Sequence, residues 1–509
     1  MSLNILFNFV RNNINKLVVR IKQKAVVIGA GFSGISAAAS LAQAGYEVDL
    51  LEKNSTTGGR ARVFEKDGFT FDMGPSWYWM PEIMEQFFNR FGKSAKDFFE
   101  LKRLDPSYQV IFSKTDKMVV PANLDELYKL FESREKDGAD KLKRFLADAR
   151  QKYEIGIGEF VDKPALSLME FANPSMLQSA LKMNLFRSFA NHARKYFKNP
   201  ELLQILEFPV LFLGAEPSNI PAMYSMMNYA DLELGTWYPM GGFGKLPDAM
   251  LKVATDLGVK LHVNTDAESL MITQNHISTV VTSNGNFSAD VVVSSADYNF
   301  TEQKLLPKNY RNYSHDYWEK RVMAPSCLLY YLGIDKKIGK LEHHNLFFEG
   351  GFEQHAKTIY ENPSFPTDPL YYVCCPSKTD PSVAPEGKEN LFVLIPIAPG
   401  LNDTPEIRKQ YFDDTITRLE EFCGESIKPH IISYTDYAGS NFINDYNAFK
   451  GNAYGLANTL SQTAILKPSI KNKKIDNLYY TGQLTVPGPG VPPAIISGQI
   501  VADYIIKKH

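Results

Sequence analysis

The sequence predicts an α/β fold, α+β overall, in which a parallel, doubly wound domain is interleaved with a second lobe of mixed sheet plus helices. Three observations carry this. A complete strand, glycine turn, helix and strand unit lies between Lys24 and Arg60. Strands that run into glycine turns and suit the same sheet recur near 235–293 and again at 477–482. The 509 residues contain no internal repeat or low-complexity linker, so the lobes are not strung in series.

The first unit is specified residue by residue. Residues 25–28 (AVVI) are short and apolar, as a parallel strand buried on both faces requires. Gly29, Gly31 and Gly34 follow in G-x-G-x-x-G spacing, with Ala30, Phe32 and Ser33 completing the loop. Gly29 permits the tight turn, Gly31 lets the backbone approach a pyrophosphate, and Gly34 lets a helix over 33–44 pack closely on the strand. That helix points its N-terminus at the phosphates. After Gly45, a strand over 47–51 ends at Glu52, followed by Lys53. An acid there accepts the ribose hydroxyls and disfavours a 2′-phosphate, and with it NADP.

Six positions past Glu52 stand Gly58, Gly59 and Arg60. Paired glycines let the backbone lie against a cofactor, and the arginine suits a phosphate or a flavin edge. This E-x5-GGR arrangement resembles the FAD-binding half of the flavoprotein superfamily that includes amine oxidases and carotenoid desaturases, and the resemblance implies FAD. In the turn FDMGPSW, Gly74, Pro75 and Ser76 fix the chain path beside the GGR loop. A second glycine turn, YPMGGFG over 238–244, leads into a helix over 246–257 and a strand over 259–263, which puts Val263 at a strand end beside the cofactor. A further strand is expected over 289–293. The last strand, from Asn477, meets Gly482 and Gln483, and Val491-Pro492-Pro493 opens a helix over 494–506, proline being tolerated in a first turn. These segments assign 23–110, 235–300 and 470–509 to a discontinuous Rossmann-like FAD-binding domain. The stretches 111–234 and 301–469 are left for a substrate lobe.

With 55 basic and 57 acidic residues, net charge −2 and no Lys/Arg-dense run, nucleic acid is excluded as a partner. The cysteines, Cys327, Cys374, Cys375 and Cys423, show no C-x-x-C spacing and fit a reducing, cytoplasmic setting. The vicinal pair reads as strand neighbours, with a redox dithiol as the sharper alternative. His343, His344 and His355 are the one histidine cluster, without a zinc-like ligand spacing, so no metal is expected. No run approaches the 18 apolar residues of a membrane span. Residues 1–22 form a basic, amphipathic leader with Arg11, Lys16, Arg20 and Lys22 and no acid. The stretch 171–200 repeats that character. Each reads either as an interfacial helix or as one packed on the protein.

The YPMGGFGKL segment, the ending TGQLTVPGPGVPPAIISGQ, and the FDMGPSWYWMP and GNAYGLANT stretches are similar to the phytoene desaturase family of bacterial carotenoid desaturases and isomerases, over about 24–506. The resemblance implies removal of two vicinal hydrogens from a polyene, a hydride passing to FAD and a proton leaving the neighbouring carbon. Phytoene is the substrate the motifs favour. The alternatives are 3,4-desaturation of a 1-hydroxycarotenoid, another later desaturation or isomerisation and, in a different class, a non-redox prenyl-lipid carrier of the GDP-dissociation-inhibitor type. Trp77, Tyr78, Trp79, Trp237 and Tyr238 flank the glycine turns and are expected along the substrate passage. The helix opened by Pro492 is expected at the pyrimidine edge of the flavin. No acid stands out as a base. A carotenoid dissolves in the bilayer, so the resemblance implies a peripheral enzyme on the inner face of the cell membrane. The terminal acceptor, oxygen or quinone, leaves no sequence mark.

Overall fold

The structure, a computed structural model, describes residues 22–171, 183–184, 187–211, 213–459 and 461–508. The leader and the centre of the second basic stretch therefore lie outside the described residues. From Phe189 onward that stretch packs inward, with Phe189, Ala193 and Phe197 buried in the core.

The first lobe is built on a five-stranded parallel sheet. Its order is Leu478–Tyr480, Val291–Ser294, β1 (Lys24–Ile28), β2 (Glu47–Leu51), Lys260–His262. β1 lies centrally because both its faces are apolar: Ala25 and Val27 join one core cluster, Val26 and Ile28 another. α1 (Phe32–Gln43) follows β1, and the closing helix Val491–Lys508 packs across it. Two glycines make these approaches possible. A Cβ on Gly34 would stand 1.9 Å from the Gly29 carbonyl oxygen, and one on Gly498 would stand 2.3 Å from that of Ser33. Small hydroxyls then tie the layers together: Ser36 Oγ donates to the Ile495 carbonyl at 2.8 Å, and Ser497 Oγ accepts from the Gly482 amide at 3.0 Å.

The second lobe is a seven-stranded mixed sheet ordered Ile431–Tyr437, Ser326–Ile334, Glu389–Ile397, Tyr371–Cys374, His344–Phe347, Tyr108–Ile111, Lys117–Val120. Ser326–Ile334 is buried at every position, which explains its apolar run from Cys327 onward. Because Tyr108–Ile111 pairs in this sheet, the chain has left the first lobe by residue 108, ahead of the boundary expected after 110. Cys374 and Cys375 are both buried, in different core clusters, and all four cysteines are free thiols. Among the described residues, no helix is long and apolar enough to cross a membrane.

Candidate functional site

A cavity of about 1050 Å³ runs between the lobes, from the first glycine turn to the helical part of the second. At one end Gly29, with φ +98°, donates its N–H to the Leu51 carbonyl and fixes the turn between β1 and β2. Gly31 and Gly59 approach each other closely: a Cβ on Gly59 would stand 3.1 Å from the Gly31 Cα, whereas one on Gly31 would make only ordinary contact, at 3.8 Å, with the Gly59 Cα. Glu52, buried at the end of β2, accepts the Ala30 amide on Oε2 at 2.9 Å and the Asn54 backbone and side-chain N–H groups on Oε1 at 3.0 and 2.9 Å. A carboxylate has about four acceptor positions. One therefore stays open toward the cavity.

Among the described residues, Arg60 has only neutral hydrogen-bond partners. Its Nη2 donates to the Asn452 carbonyl at 3.1 Å. With the Gln483 amide oxygen turned inward, Nη1 and Nη2 reach it at 3.1 and 3.0 Å. Its Nε has no partner among the described residues, and its carbon stands 5.1 Å over the Tyr446 ring. Burial pushes the guanidinium pKa down, partly opposed by Tyr446 and Asp297. Asp297 is itself pushed up by burial, against the Phe449 and Phe300 amides that donate to it. A half-buried cation with an orphaned donor beside a glycine cradle is what an anionic diphosphate would complete. The residues fit FAD on these observations: glycines where a side chain would fill the cradle, an acid at the ribose position, a guanidinium awaiting an anion. Bound there, FAD supplies an acceptor for a hydride from a C–H bond.

The cavity wall brings together Gly29, Gly31, Phe32, Ser33, Glu52, Lys53, Gly58, Gly59, Arg60, Gly74, Pro75, Ser76, Trp77, Gly482, Gln483, Val491 and Pro492, collected from four distant stretches of chain. Ala30 and Gly34 stand behind it and lock the turn. Val263 is 36 % exposed, and Thr265 to Ala267 take the wall instead. Trp237 and Tyr238 do not reach the cavity. They lie in the strand Trp237–Pro239, paired with Leu101–Arg103. Trp237 Nε1 is spent on the Leu234 carbonyl, and Tyr238 packs on His343 in a separate small pocket. Along the extended segment that bridges Tyr78 to Trp237, Tyr78 turns into the core while Trp77 and Trp79 line the cavity. Sequence reasoning missed Asp297, which follows the Val291–Ser294 strand much as Glu52 follows β2; a carboxylate just past a buried strand was the available signal.

Behind Trp77 runs a buried hydrogen-bond chain. Ser76 Oγ and the Tyr372 hydroxyl are 2.9 Å apart, and that hydroxyl lies 2.6 Å from His344 Nδ1. Trp77 stacks on His344 at 4.1 Å. Burial holds His344 well below the usual imidazole range and draws His343 down to about 3, so both rings are neutral. His343, His344 and Cys374 approach one another, their ligand atoms within 4.8 Å, whereas His355 stands apart, donating to the Pro396 carbonyl at 2.8 Å.

The closing helix begins at the cavity with Val491 and Pro492. Its positive end favours negative charge on a bound ring. Pro492→Glu is expected to lower the flavin midpoint potential in spectroelectrochemical titration; an unchanged potential would detach this helix end from cofactor tuning.

The model of the flavin-containing amine oxidoreductase family matches residues 32–506. A carotenoid 3,4-desaturase of Haloarcula japonica is 39 % identical over 486 residues, covering 95 % of this chain and 98 % of its own. A phytoene desaturase of Fusarium fujikuroi is 30 % identical over 514 residues, covering 96 % and 90 %. Among solved structures, a triple mutant of putrescine oxidase superposes with a TM-score of 0.63 at 14 % identity, covering 96 % and 99 %, a likeness of fold. End-to-end kinship with desaturases, on a chain that keeps the whole flavin cradle, sets aside the non-redox lipid carrier. This chain belongs to the carotenoid desaturase family of flavin-containing amine oxidoreductases, and is an FAD-dependent oxidoreductase acting on CH–CH bonds.

Proposed function

We propose that the chain desaturates a C40 polyene at a bond near its end, in the manner of a carotenoid 3,4-desaturase. The observation that carries this is the cavity: beyond the cradle its wall is dominated by apolar side chains, including Phe208, Phe348, Phe352, Met223, Met227 and Ile359. Such a wall binds a hydrocarbon by buried area and keeps water from the reacting carbons. Trp77, held by its stack on His344, presents a fixed surface against which an extended polyene is positioned, and the Ser76–Tyr372–His344 chain fixes the hydroxyl at that wall. Higher identity to the 3,4-desaturase than to the phytoene desaturase supports the terminal bond. Phytoene, favoured by the motifs, is the second reading, supported by the Fusarium relative.

Pigment chromatography decides between them. In a bacterium that accumulates phytoene, red products would support the second reading. In one that accumulates later or hydroxylated carotenoids, a red-shifted product with one more conjugated bond is expected from the first. Colour unchanged in both, with yellow flavoprotein present, would sink the desaturase reading. Anaerobic turnover with an added quinone distinguishes quinone from oxygen as the terminal acceptor.

The polyene is drawn from a lipid bilayer, with the protein docked on the cytoplasmic face of the membrane. Support comes from Leu166, 38 % exposed, and Met169, 82 % exposed, next in sequence to Lys163 and Ala165 on the cavity wall. An exposed apolar pair with a neighbouring lysine suits an anionic lipid surface. Leu166→Glu with Met169→Glu is expected to cut liposome co-sedimentation severalfold; undiminished binding would move the contact elsewhere.

A further inference from the structure

Desaturation releases a hydride and a proton, and bound FAD provides a destination only for the hydride. Among the described residues, the carboxylates on the cavity wall are Glu52, Asp266, Asp297 and Asp445. All belong to the cradle end. Asp266 follows Thr265, whose N–H donates to the Glu52 carbonyl, Asp297 neighbours Arg60, and Asp445 pairs with Arg62. His355 lines the apolar part, but its Nε2 is spent on the Pro396 carbonyl and its Nδ1 accepts the Leu370 N–H at 2.9 Å. The proton must leave by another route.

Ser76 stands where the two parts of the cavity meet: it follows Gly74 and Pro75 of the cradle, and the next residue, Trp77, packs on Phe208 of the apolar wall at 5.5 Å. Ser76 is half-buried and, like Tyr372, lines the cavity. From its Oγ the path runs 2.9 Å to the Tyr372 hydroxyl and 2.6 Å on to Nδ1 of the fully buried His344. His344 Nε2 has no partner among the described residues, so the ring hydrogen sits there and Nδ1 is left to accept. The adjacent Cys374 thiol, pushed well up by burial, stays protonated and does not compete, and His343 is turned to Thr379, Nδ1 to Oγ1 at 2.7 Å. Trp77 lies flat on His344, 4.1 Å away and inclined by 13°. An indole face attracts a charged ring more than a neutral one. A C–H bond beside an allylic cation is strongly acidic, so a neutral imidazole suffices as its base.

The geometry points to Ser76, Tyr372 and His344 as the relay that takes the proton from the polyene. This rests on the desaturase reading of the same cavity and adds the base that reading lacks. The C–H bond next to the carbon that gave the hydride breaks, and its electron pair becomes the second bond of the new double bond. The proton passes to Ser76 Oγ, which hands its own to Tyr372, which hands its own to His344 Nδ1. The imidazolium so formed donates back to the Tyr372 oxygen beneath the Trp77 face. When quinone or oxygen takes up the hydride equivalent, the proton returns along the same chain and leaves with it, so two electrons and two protons reach the terminal acceptor.

The test is anaerobic single turnover of the FAD-loaded protein with a polyene deuterated at either the hydride-giving or the proton-giving carbon, read by product absorbance and flavin bleaching. Tyr372→Phe and His344→Gln are each expected to slow product formation about 100-fold. In both, the isotope effect at the proton-giving carbon is expected to rise while that at the hydride-giving carbon falls toward one, a split that a merely structural role would not produce. Tyr372→Phe is expected to leave the FAD and polyene dissociation constants unchanged in equilibrium titration. Should either substitution fail to fold, Ser76→Ala, a small change at a half-buried position, is expected to give the same isotope signature. Variants that turn over at the wild-type rate, or that slow with both isotope effects unchanged, would overturn the relay and leave the desaturase reading intact. A wild-type protein whose flavin no polyene bleaches would sink the desaturase reading, and the relay with it.

Discussion

A Gly34→Ala variant is expected to accumulate with little or no flavin and a sharply lowered Tm. The added methyl would stand 1.9 Å from the Gly29 carbonyl oxygen and 3.1 Å from the side chain of Ser295, and neither neighbour has room to yield. α1 would have to lift from β1, costing roughly 3 kcal/mol or more, in the element that presents the phosphate-facing amides. Gly31→Ala is the contrasting variant. Its backbone is extended and its methyl would meet only the Gly59 Cα at 3.8 Å, so the fold is expected to survive while the methyl occupies space meant for the diphosphate. Differential scanning calorimetry and the flavin-to-protein ratio separate the two. The result that counts against this account is a flavin-replete Gly34→Ala protein, or a Gly31→Ala protein that unfolds.

Arg60→Met is expected to move cofactor affinity and unliganded stability in opposite directions. Without ligand, the half-buried guanidinium hydrogen-bonds only to neutral groups among the described residues, its Nε is unsatisfied and Asp297 offsets its desolvation only in part, so an apolar replacement relieves a desolvation cost and the apoprotein Tm should hold or rise. With FAD, the same substitution removes charge-assisted hydrogen bonds, and Kd is expected to rise about 10- to 100-fold. Arg60→Lys should recover only part of this, since a point charge cannot fork between two oxygens. Titration of apoprotein with FAD, beside thermal melts at zero and saturating cofactor, reads both effects. A fall in apoprotein stability with unchanged FAD affinity would make Arg60 a structural residue.

The cofactor half was legible because its signals are local. The β1–α1–β2 unit, the acid at its end, the GGR loop and the proline-opened closing helix each declare themselves within a dozen residues, and the structure places them around one cavity. The second lobe was not legible in that way. Its sheet sets Tyr108–Ile111 beside His344–Phe347 and Ser326–Ile334 between two much later strands, an order set by packing rather than by neighbouring sequence. Trp237 and Tyr238 show the limit most clearly. They precede a glycine turn, as Trp77 follows one, but antiparallel pairing with Leu101–Arg103 holds their strand away from the cavity.

The bond between Ser36 and Ile495 joins residues 459 apart, and the strand Leu478–Tyr480 completes the edge of a sheet begun at Lys24. A nascent chain leaving the ribosome therefore displays a glycine cradle early but cannot close it until nearly all of the polypeptide has emerged. Until then, Val291–Ser294 is an open edge ready to pair with another chain. Flavin capture becomes a late, post-synthetic event, and whatever FAD is free at that moment draws the last strand and helix into place by mass action. Starving an expression host of riboflavin should therefore divert the protein into aggregates rather than leave a well-folded, colourless pool.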